Sequence, residues 1–446
     1  MLKYESIFNE LLRQIQSGEI PAGTKLPSIR KLKQYYSCSI SSIQTALKML
    51  EEQHLIYSIP KSGYYVIDHQ TAHKPVKDEF IDFATASPTW HNFPYKDFQH
   101  CINKAIDTYQ EDLFQYGTPN GLPSLIIEAR KLLETYQVFA NTSNIYITSG
   151  VQRALSILSM MPFPNNRTDI LVEQPSYHLY LEYLQTNQIK TVGIRRTVEG
   201  IDLEELEGIF REGNIKFFYC MPRFHNPLGT SFNKKEKEGI LKLATKYDVY
   251  IVEDDYIADF EQDAKNDPLF SLDVSDRVIY LKSFSKIMFP GLRIGFIVLP
   301  TILKNTFQKY KRINDIDSSV ISQAALELYL KSGMFMAYQD QVSKAYTDRA
   351  EILQKSLKKY LPMYKIPYEM VMHTHITMEK KIDINSLIHH LKERNVLLDS
   401  INQNYLNGFY RERILKINVS NIEEHKIVEG IKEIANELNK NEHIYF

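Results

Sequence analysis

The stretch SFSKIMFPGLRIGF, residues 283–296, places a lysine in unusual surroundings and is the starting point for predicting the fold. Lys286 stands among serine, phenylalanine, isoleucine and methionine residues instead of the charged neighbours that surface lysines usually have. Because a partly desolvated ammonium loses its proton easily, such a lysine can form a Schiff base with pyridoxal phosphate. Ser283, Ser285 and Arg293 would supply hydroxyl donors and a planar cation for the phosphate. The alternative is a buried loop lysine that is paired with a carboxylate.

Around this stretch, apolar runs typical of β-strands alternate with helical stretches from Phe80 onward. The runs are NIYITS, DILVEQ, IKFFYCMP, VYIVEDD, VIYLKS and RIGFIVLP. Alternation of this kind predicts an α/β fold with a mostly parallel sheet flanked by helices. Ligands of such sheets bind where strands end and helices begin, so we expect functional residues at these junctions.

Two strand ends carry residues that suit this cofactor. Gly150 follows a strand, and the first turn of the next helix, with Val151 and Gln152, is a candidate phosphate site. Asp254 ends the run VYIVEDD, where a carboxylate could keep a pyridine nitrogen protonated and the ring an electron sink. Tyr256 could donate to the phenolate oxygen. The acidic pair could instead cap a helix or bind a metal.

Two further segments offer cofactor contacts. Tyr177 in QPSYHLY could stack on the cofactor ring, although it could also be an ordinary core aromatic. Asn226 in RFHNPLG could be a neutral donor to the phenolate oxygen, although an Asn-Pro pair is also a common turn.

Residues 1–68 form a smaller predicted module of three helices and a β-hairpin. This order indicates a winged helix-turn-helix whose third helix would enter the DNA major groove. A protein-interaction domain is the alternative. The candidate DNA contacts are Arg30, Lys31, Ser39, Ser41, Ser42, Gln44, Thr45, Lys48, Lys61 and Gly63. Residues 69–79 read as a linker, and residues 80–446 as the larger domain, with a smaller C-terminal subdomain from about residue 320.

Composition restricts the remaining possibilities. The chain has 446 residues and a formal net charge of -1, so its overall charge does not favour binding to nucleic acid or to a membrane. Its three cysteines are scattered without metal-ligand spacing, which favours a reducing compartment. The first residues lack the apolar core of a signal peptide, and we expect a cytoplasmic protein.

The N-terminal motifs resemble the GntR-type winged helix. They are SGEIPAGTKLPSIRKL, SISSIQTALKMLEEQHLI and PKSGYYV, against family patterns of the form SGxLxPGxxLPSxRxLA and a GSGxxV wing. One position departs from the pattern. Ile40 follows the capping serine of the recognition helix, where many members carry an arginine. The operator sequence therefore cannot be carried over from the family.

The larger domain resembles the fold-type I, aspartate-aminotransferase-like enzymes that bind pyridoxal phosphate. The resemblance is carried, in chain order, by Gly150, Tyr177, the NPLG motif at Asn226, Asp254 with Tyr256, the SFSK motif, and Arg293 before a glycine. In addition, EDDYIADF is similar to the EDDYxxxF of the MocR/GabR group, in which a GntR-type winged helix is fused to an aminotransferase-like domain. The resemblance covers nearly the whole chain.

The resemblance implies a role for each of these residues. Lys286 would hold the cofactor, Asp254 would pair with the pyridine nitrogen, Tyr256 and Asn226 would contact the phenolate oxygen, and Tyr177 would stack on the ring. The phosphate would be bound by Arg293, Ser283, Ser285 and the amides around Val151 and Gln152, with Tyr116 of the partner subunit. The implied assembly is a head-to-tail homodimer.

The implied function is a bacterial transcription regulator. It would bind a double-stranded DNA operator and sense a small amino compound, or pyridoxal phosphate itself, with possible residual transamination. The alternative is a working aminotransferase that carries a DNA-binding appendage. A protein whose larger domain only dimerises is disfavoured, because the set of cofactor residues is complete.

One position breaks the pattern of the larger domain. Where such proteins usually have an arginine that binds the substrate carboxylate, the strand ILKINVS has Lys416. Arg411 and Arg413 lie just upstream and could substitute for it. A lysine binds a carboxylate as a point charge, so the effector is held differently, or lacks this carboxylate, or is the cofactor itself. The histidines at 373, 375, 389 and 390 do not predict a metal site.

Overall fold

The computed structural model describes residues 3–21, 23–53, 55–59, 62–66, 80–88, 93–263, 265–315, 318–367 and 372–443. The expected linker at 69–79 and the expected DNA contact Lys61 lie outside these ranges. The chain separates into two units, Met1–Glu79 and Phe80–Phe446. None of the helices in the described ranges combines the length and the apolar character needed to cross a bilayer.

The described part of the first unit is a winged helix-turn-helix, as the sequence predicts. Its elements are α1 (Lys3–Gln16), α2 (Ile29–Tyr36), α3 (Ile40–Glu52) and the antiparallel strands β1 (Ile56–Ile59) and β2 (Gly63–Val66). Ser28 and Ser39 cap α2 and α3, because their side chains accept the N–H groups of Lys31 and Ser42. Ile43 and Leu47 of α3 are fully buried in the core of this unit.

The second unit contains the following helices: α4 (Tyr95–Tyr109), α5 (Pro123–Thr135), α6 (Val151–Met160), α7 (His178–Thr186), α8 (Leu203–Glu212), α9 (Lys234–Lys246), α10 (Leu269–Leu272), α11 (Lys304–Asn314), α12 (Val320–Lys331), α13 (Met334–Tyr360), α14 (Ile384–Glu393) and α15 (Glu424–His443). Its strands are β3 (Ile81–Asp82), β4 (Ile145–Thr148), β5 (Asp169–Gln174), β6 (Thr191–Thr197), β7 (Gly200–Ile201), β8 (Ile215–Cys220), β9 (Tyr250–Asp254), β10 (Val278–Ser283), β11 (Gly295–Val298), β12 (His373–Thr377), β13 (Val396–Leu397) and β14 (Ile414–Asn418).

The central sheet has the strand order β4-β11-β10-β9-β8-β5-β6-β7. β11 is antiparallel to both of its neighbours and β7 is antiparallel to β6, whereas the other pairs are parallel. Every residue of β5, β8 and β9 is buried, because helices cover both faces of a parallel sheet. The predicted mostly parallel α/β fold is confirmed.

The C-terminal part of this unit has its own core and a second, smaller set of strands. β12 pairs antiparallel with β14, and β13 pairs parallel with β3. Phe83, which directly follows β3, is fully buried in this core with Leu353 and Ile431. A Cβ added at Gly430 of α15 would lie 2.4 Å from the Phe83 ring, so glycine allows the helix to approach it closely. The start of the second unit therefore packs with its end, which the sequence did not predict.

Candidate functional site

A cavity of about 380 Å³ lies in the second unit, where β9 and β10 end and α6 begins. This is the edge of an α/β sheet at which ligands bind. The predicted site residues that line it are Gly150, Val151, Gln152, Tyr177, Asn226, Asp254, Tyr256, Ser283, Ser285, Lys286, Arg293 and Lys416. Tertiary structure thus brings together residues that are separated by more than 250 positions in the chain.

Lys286 provides a buried amine in this cavity. Its Nζ donates a hydrogen bond to the backbone oxygen of Ala86. Burial, together with the nearby charge of Lys416, lowers the pKa of Lys286 to about 8. Because only the neutral amine is a nucleophile, the lowered pKa increases the reactive fraction at neutral pH.

Asp254 provides a buried carboxylate, and one of its oxygens can accept a hydrogen bond from a ligand. Tyr219 donates to its Oδ2 at 2.7 Å, whereas Oδ1 is buried and has no hydrogen-bond partner among the described residues. Burial raises the pKa of Asp254 to about 7, against the opposing effect of the Tyr219 hydrogen bond. A buried oxygen without a donor is costly, so this site fits a ligand that brings an N–H group, such as a protonated pyridine.

The acidic residues on either side of Asp254 have structural partners. Glu253 accepts the backbone N–H groups of Leu269 and Phe270, both at 2.9 Å, and so caps α10. Asp255 forms a buried ion pair with Arg223, and the Tyr280 hydroxyl donates to it at 2.7 Å. The helix-capping contacts therefore belong to Glu253, and not to the pair Asp254 and Asp255 for which capping was the alternative.

Arg293 and the start of α6 form the cationic end of the cavity. A Cβ at Gly150 would lie 3.2 Å from Nη2 of Arg293, and that Nη2 donates to the Ser149 oxygen at 3.1 Å. A Cβ at Gly295 would lie only 2.8 Å from the Val151 nitrogen, so glycine lets β11 approach the first turn of α6. The N–H groups of this turn and the guanidinium suit a phosphate.

The serines of the SFSK motif complete this end of the cavity. The Ser283 Oγ accepts the backbone N–H of Ser285 at 3.2 Å, which orders the turn that precedes Lys286. Ser149, beside Gly150, donates its hydroxyl to Asp315 at 2.7 Å. Both Ser283 and Ser285 line the cavity.

The aromatic side chains are held by specific hydrogen bonds. Gln152 donates from Nε2 to the Tyr177 hydroxyl at 3.0 Å, and burial raises the pKa of Tyr177 to about 12. Tyr256 is buried, and its hydroxyl donates to the Phe224 oxygen at 2.9 Å. Tyr177 can therefore offer a fixed ring face to a ligand, and the phenolic proton of Tyr256 is already engaged with the backbone.

Lys416 and Asn226 occupy another wall of the cavity. The Lys416 Nζ donates to the Asn226 Oδ1 at 3.0 Å, and burial lowers the pKa of Lys416 to about 8, against the opposing charge of Asp399. Because Oδ1 accepts from the lysine, the Asn226 Nδ2 remains the group that can donate to a ligand. Lys416 thus orients the amide as well as supplying a cation.

Three predicted residues lie outside the lining of this cavity. Tyr116 is 89% exposed. Arg413 donates to the backbone oxygens of Glu379 and Ile382. Arg411 is also absent from the lining residues. Among the predicted cations near the C-terminus, the cavity therefore contains Lys416.

Sequence reasoning missed several residues of the site. Tyr219 comes from β8, the strand beside β9, and no local motif marks it. His178, Asp399 and Asn404 line the cavity from α7 and from the segment after β13. The position of His178 directly after Tyr177 is a signal that could have identified it.

The histidines of β12 hold the loop that carries Asn226. His373 Nε2 lies 3.0 Å from the His225 oxygen, and His375 Nδ1 lies 2.9 Å from the Leu228 oxygen, so both rings donate to the backbone. Burial lowers the pKa of His373 to about 3 and that of His375 to about 4, which keeps both neutral. In the described part of the chain, no group of acidic, histidine or cysteine side chains has metal-binding geometry.

The first unit presents the predicted DNA-contacting side chains on α2 and α3. The exposed ones are Arg30, Lys31, Ser39, Ser41, Gln44, Thr45 and Lys48, and Ser42 is partly buried. Gly63 begins β2 with a φ of +126°, and a Cβ there would lie 3.2 Å from the Lys25 side chain. Glycine is thus needed for the backbone at the tip of the hairpin.

Two family comparisons divide the chain in the same way as the structure. Residues 89–434 match the aminotransferase class I and II family, and residues 3–66 match the gntR family of bacterial regulatory proteins.

Comparisons with individual proteins include both regulators and enzymes. An uncharacterized HTH-type transcriptional regulator of Bacillus subtilis, YcxD, is 48% identical over 98% of this chain and 100% of its own length. The aromatic-amino-acid aminotransferase 1 of Thermococcus litoralis is 28% identical over 80% of this chain and 87% of its own. The kynurenine aminotransferase of Pyrococcus horikoshii superposes with a TM-score of 0.74 at 26% identity, covering 88% of this chain and 99% of that chain.

Proposed function

Because this chain belongs to the aminotransferase class I and II family and carries a GntR-family domain at its N-terminus, we propose that it is a transcription regulator controlled by pyridoxal phosphate. It binds operator DNA through its winged helix and senses an amino compound, or the cofactor itself, at Lys286. We assign residues 1–68 to DNA binding, 69–79 to a linker and 80–446 to effector binding and dimerisation. The protein acts in the cytoplasm.

The observation that carries this proposal is that Lys286 and Asp254 line the same cavity. One is a buried amine whose pKa is lowered to about 8, and the other has a buried oxygen without a donor. Pyridoxal phosphate has an aldehyde for the first and a ring nitrogen for the second, and its chemistry when bound is the exchange of one amine for another at that aldehyde. The charges and hydrogen-bonding groups of the cavity fit this molecule at both ends.

The remaining residues have supporting roles in the proposal. Arg293, Ser283, Ser285 and the N–H groups of Val151 and Gln152 bind the phosphate, with Tyr116 of the partner subunit in a head-to-tail homodimer. Tyr177 covers one face of the ring. Asn226 would donate from Nδ2 to the phenolate oxygen, and Tyr256 would contact the same oxygen after its hydroxyl turns away from the Phe224 backbone oxygen. The effector is bound near Lys416, and Arg411 and Arg413 contribute at most from outside the cavity.

A second candidate function is a working aminotransferase with a DNA-binding appendage. The full set of cavity residues and the 28% identity to an aminotransferase favour it. Lysine at 416 favours the regulator, because a point charge gives a carboxylate less geometric control than the two-pronged contact of an arginine. Residual transamination is compatible with the regulator.

The test is the absorbance spectrum of the protein with pyridoxal phosphate, recorded while amino compounds are added one at a time. A regulator should show a cofactor band that shifts with one compound and then stays constant, with changed DNA affinity. Steady conversion of the cofactor to its amine form with release of a keto acid would instead show the enzyme. If no protein-bound cofactor band forms, the proposal is wrong.

A further inference from the structure

The first position of α3 carries an exposed isoleucine. Ile40 is 45% exposed, and the exposed residues Gln44 and Lys48 follow it at intervals of one helical turn. The buried face of the helix, which contains Ile43 and Leu47, points into the core of the unit. Residues at the N-terminal end of a recognition helix are those that contact base edges in the major groove.

The hydroxyl groups of this turn are engaged with one another. The Ser39 Oγ lies 2.8 Å from the Oγ atoms of both Ser41 and Ser42 and accepts the Ser42 N–H at 3.1 Å. The Thr45 hydroxyl donates to the Ser41 oxygen at 2.9 Å. To donate to a base, the Thr45 hydroxyl would have to give up this hydrogen bond, and the serine hydroxyls would have to rearrange theirs. An apolar side chain such as Ile40 has no such cost.

The chemistry of the major groove selects the base that Ile40 would contact. Thymine is the base that displays a methyl group there, and a glutamine pairs with the N6 and N7 edge of adenine. Gln44 lies about 6 Å further along the helix axis than Ile40, which corresponds to about two base-pair steps. Arg30 and Lys31 of α2 are exposed and cationic, as phosphate contacts require.

We infer that Ile40 contacts the methyl group of a thymine in the operator and that Gln44 contacts an adenine about two base pairs away. This inference rests on the proposed function, because it assumes that the first unit binds DNA. It gives Ile40, the position at which the chain departs from the common arginine, a role in choosing the sequence.

The test begins with the full-length protein, loaded with pyridoxal phosphate, and a library of random DNA duplexes. Binding sites are selected in parallel by the unchanged protein, by Ile40→Ala and by Lys33→Ala. Lys33 is an exposed lysine of α2, so its loss should weaken all duplexes alike. The conserved thymine should appear with the unchanged protein and with Lys33→Ala, and should be lost with Ile40→Ala.

Replacing the selected thymine by uracil then removes only the methyl group. The unchanged protein should bind the uracil duplex about fourfold more weakly, the equivalent of one buried methyl. Ile40→Ala should bind both duplexes equally. Because Ile40 is exposed, this variant should fold, and an unchanged circular dichroism melting curve would verify that.

Three results would overturn the inference and leave the proposed function standing. The first is equal affinity of the unchanged protein for the thymine and uracil duplexes. The second is that Ile40→Ala loses as much affinity as the unchanged protein when uracil replaces thymine. The third is selection of duplexes without a conserved thymine. If the unchanged protein selects no duplex while it shows a bound cofactor spectrum, the proposed DNA-binding function fails as well.

Discussion

Tyr219→Phe tests how the site controls its carboxylate. The Tyr219 hydroxyl donates a hydrogen bond to Oδ2 of Asp254 at 2.7 Å. Within the described residues, this is the hydrogen bond that the Asp254 carboxylate accepts, because its Oδ1 has no partner there. Removing a buried hydrogen bond to a charged group costs about 1.5–3 kcal/mol. The pKa of Asp254, already about 7, should rise further, because the hydrogen bond favours the charged form.

A protonated Asp254 cannot pair with a protonated pyridine. Affinity for pyridoxal phosphate near neutral pH should therefore fall about tenfold to a hundredfold, which corresponds to the lost hydrogen-bond energy. The loss should shrink as pH rises and Asp254 ionises. The assay is a titration with the cofactor at several pH values, followed by absorbance and with borohydride reduction to fix the bound fraction.

Tyr180→Phe is the matched control. The Tyr180 ring packs against that of Tyr219 with centroids 4.7 Å apart, but its hydroxyl is bonded to Ser159 at 2.8 Å. Both variants remove one buried tyrosine hydroxyl, and Tyr219→Phe alone removes a donor to Asp254. If the two variants bind the cofactor with the same affinity and pH profile, the reasoning about Asp254 is refuted.

Three other variants probe the amine, the backbone and the pH dependence. Lys286→Ala should lose the borohydride-reducible cofactor adduct, measured by mass spectrometry, and keep a folded winged helix; an adduct that persists would place the reactive lysine elsewhere. Gly295→Ala should lower the free energy of unfolding by about 1–3 kcal/mol in urea titrations, because its Cβ would lie 2.8 Å from the Val151 nitrogen. Its control, Gly208→Ala in α8, meets nothing within 4 Å and should gain about 0.5–1 kcal/mol, so equal effects would contradict the packing argument. Finally, the pKa of Asp254 is raised from 3.8 to about 7, so the folded chain without cofactor binds the extra proton, and stability should fall as pH rises across this window. Asp254→Asn should reduce that slope in thermal melts, and an unchanged slope would exclude Asp254 as its source.

Much of the fold follows from local pattern. The apolar stripe of α3 has the period of a helix. The continuous apolar runs of the sheet indicate strands that are buried on both faces. The two-residue strands could not be predicted, because two residues are too few to show a periodic pattern. β3 pairs with β13 across more than 300 residues of chain, and a pairing over that distance leaves no local trace.

The residues of the candidate site also fall into two groups, those that a local motif marks and those that the strand order brings to the site. Lys286 and Asp254 stand in motifs whose chemistry is readable along the chain. Tyr219 became part of the site because β8 lies beside β9, and that neighbourhood is a property of the strand order.

The two-domain organisation, the α/β class and the candidate lysine could therefore be predicted from the sequence, because these depend on neighbours along the chain. The sequence already pointed to Asp254 of the run EDD, but the partners of its two acidic neighbours became known from the tertiary structure. Glu253 caps a helix, Asp255 pairs with Arg223, and Asp254 retains the oxygen without a donor. Adjacent carboxylates have similar intrinsic pKa values, and their roles come to differ when each is buried beside different donors.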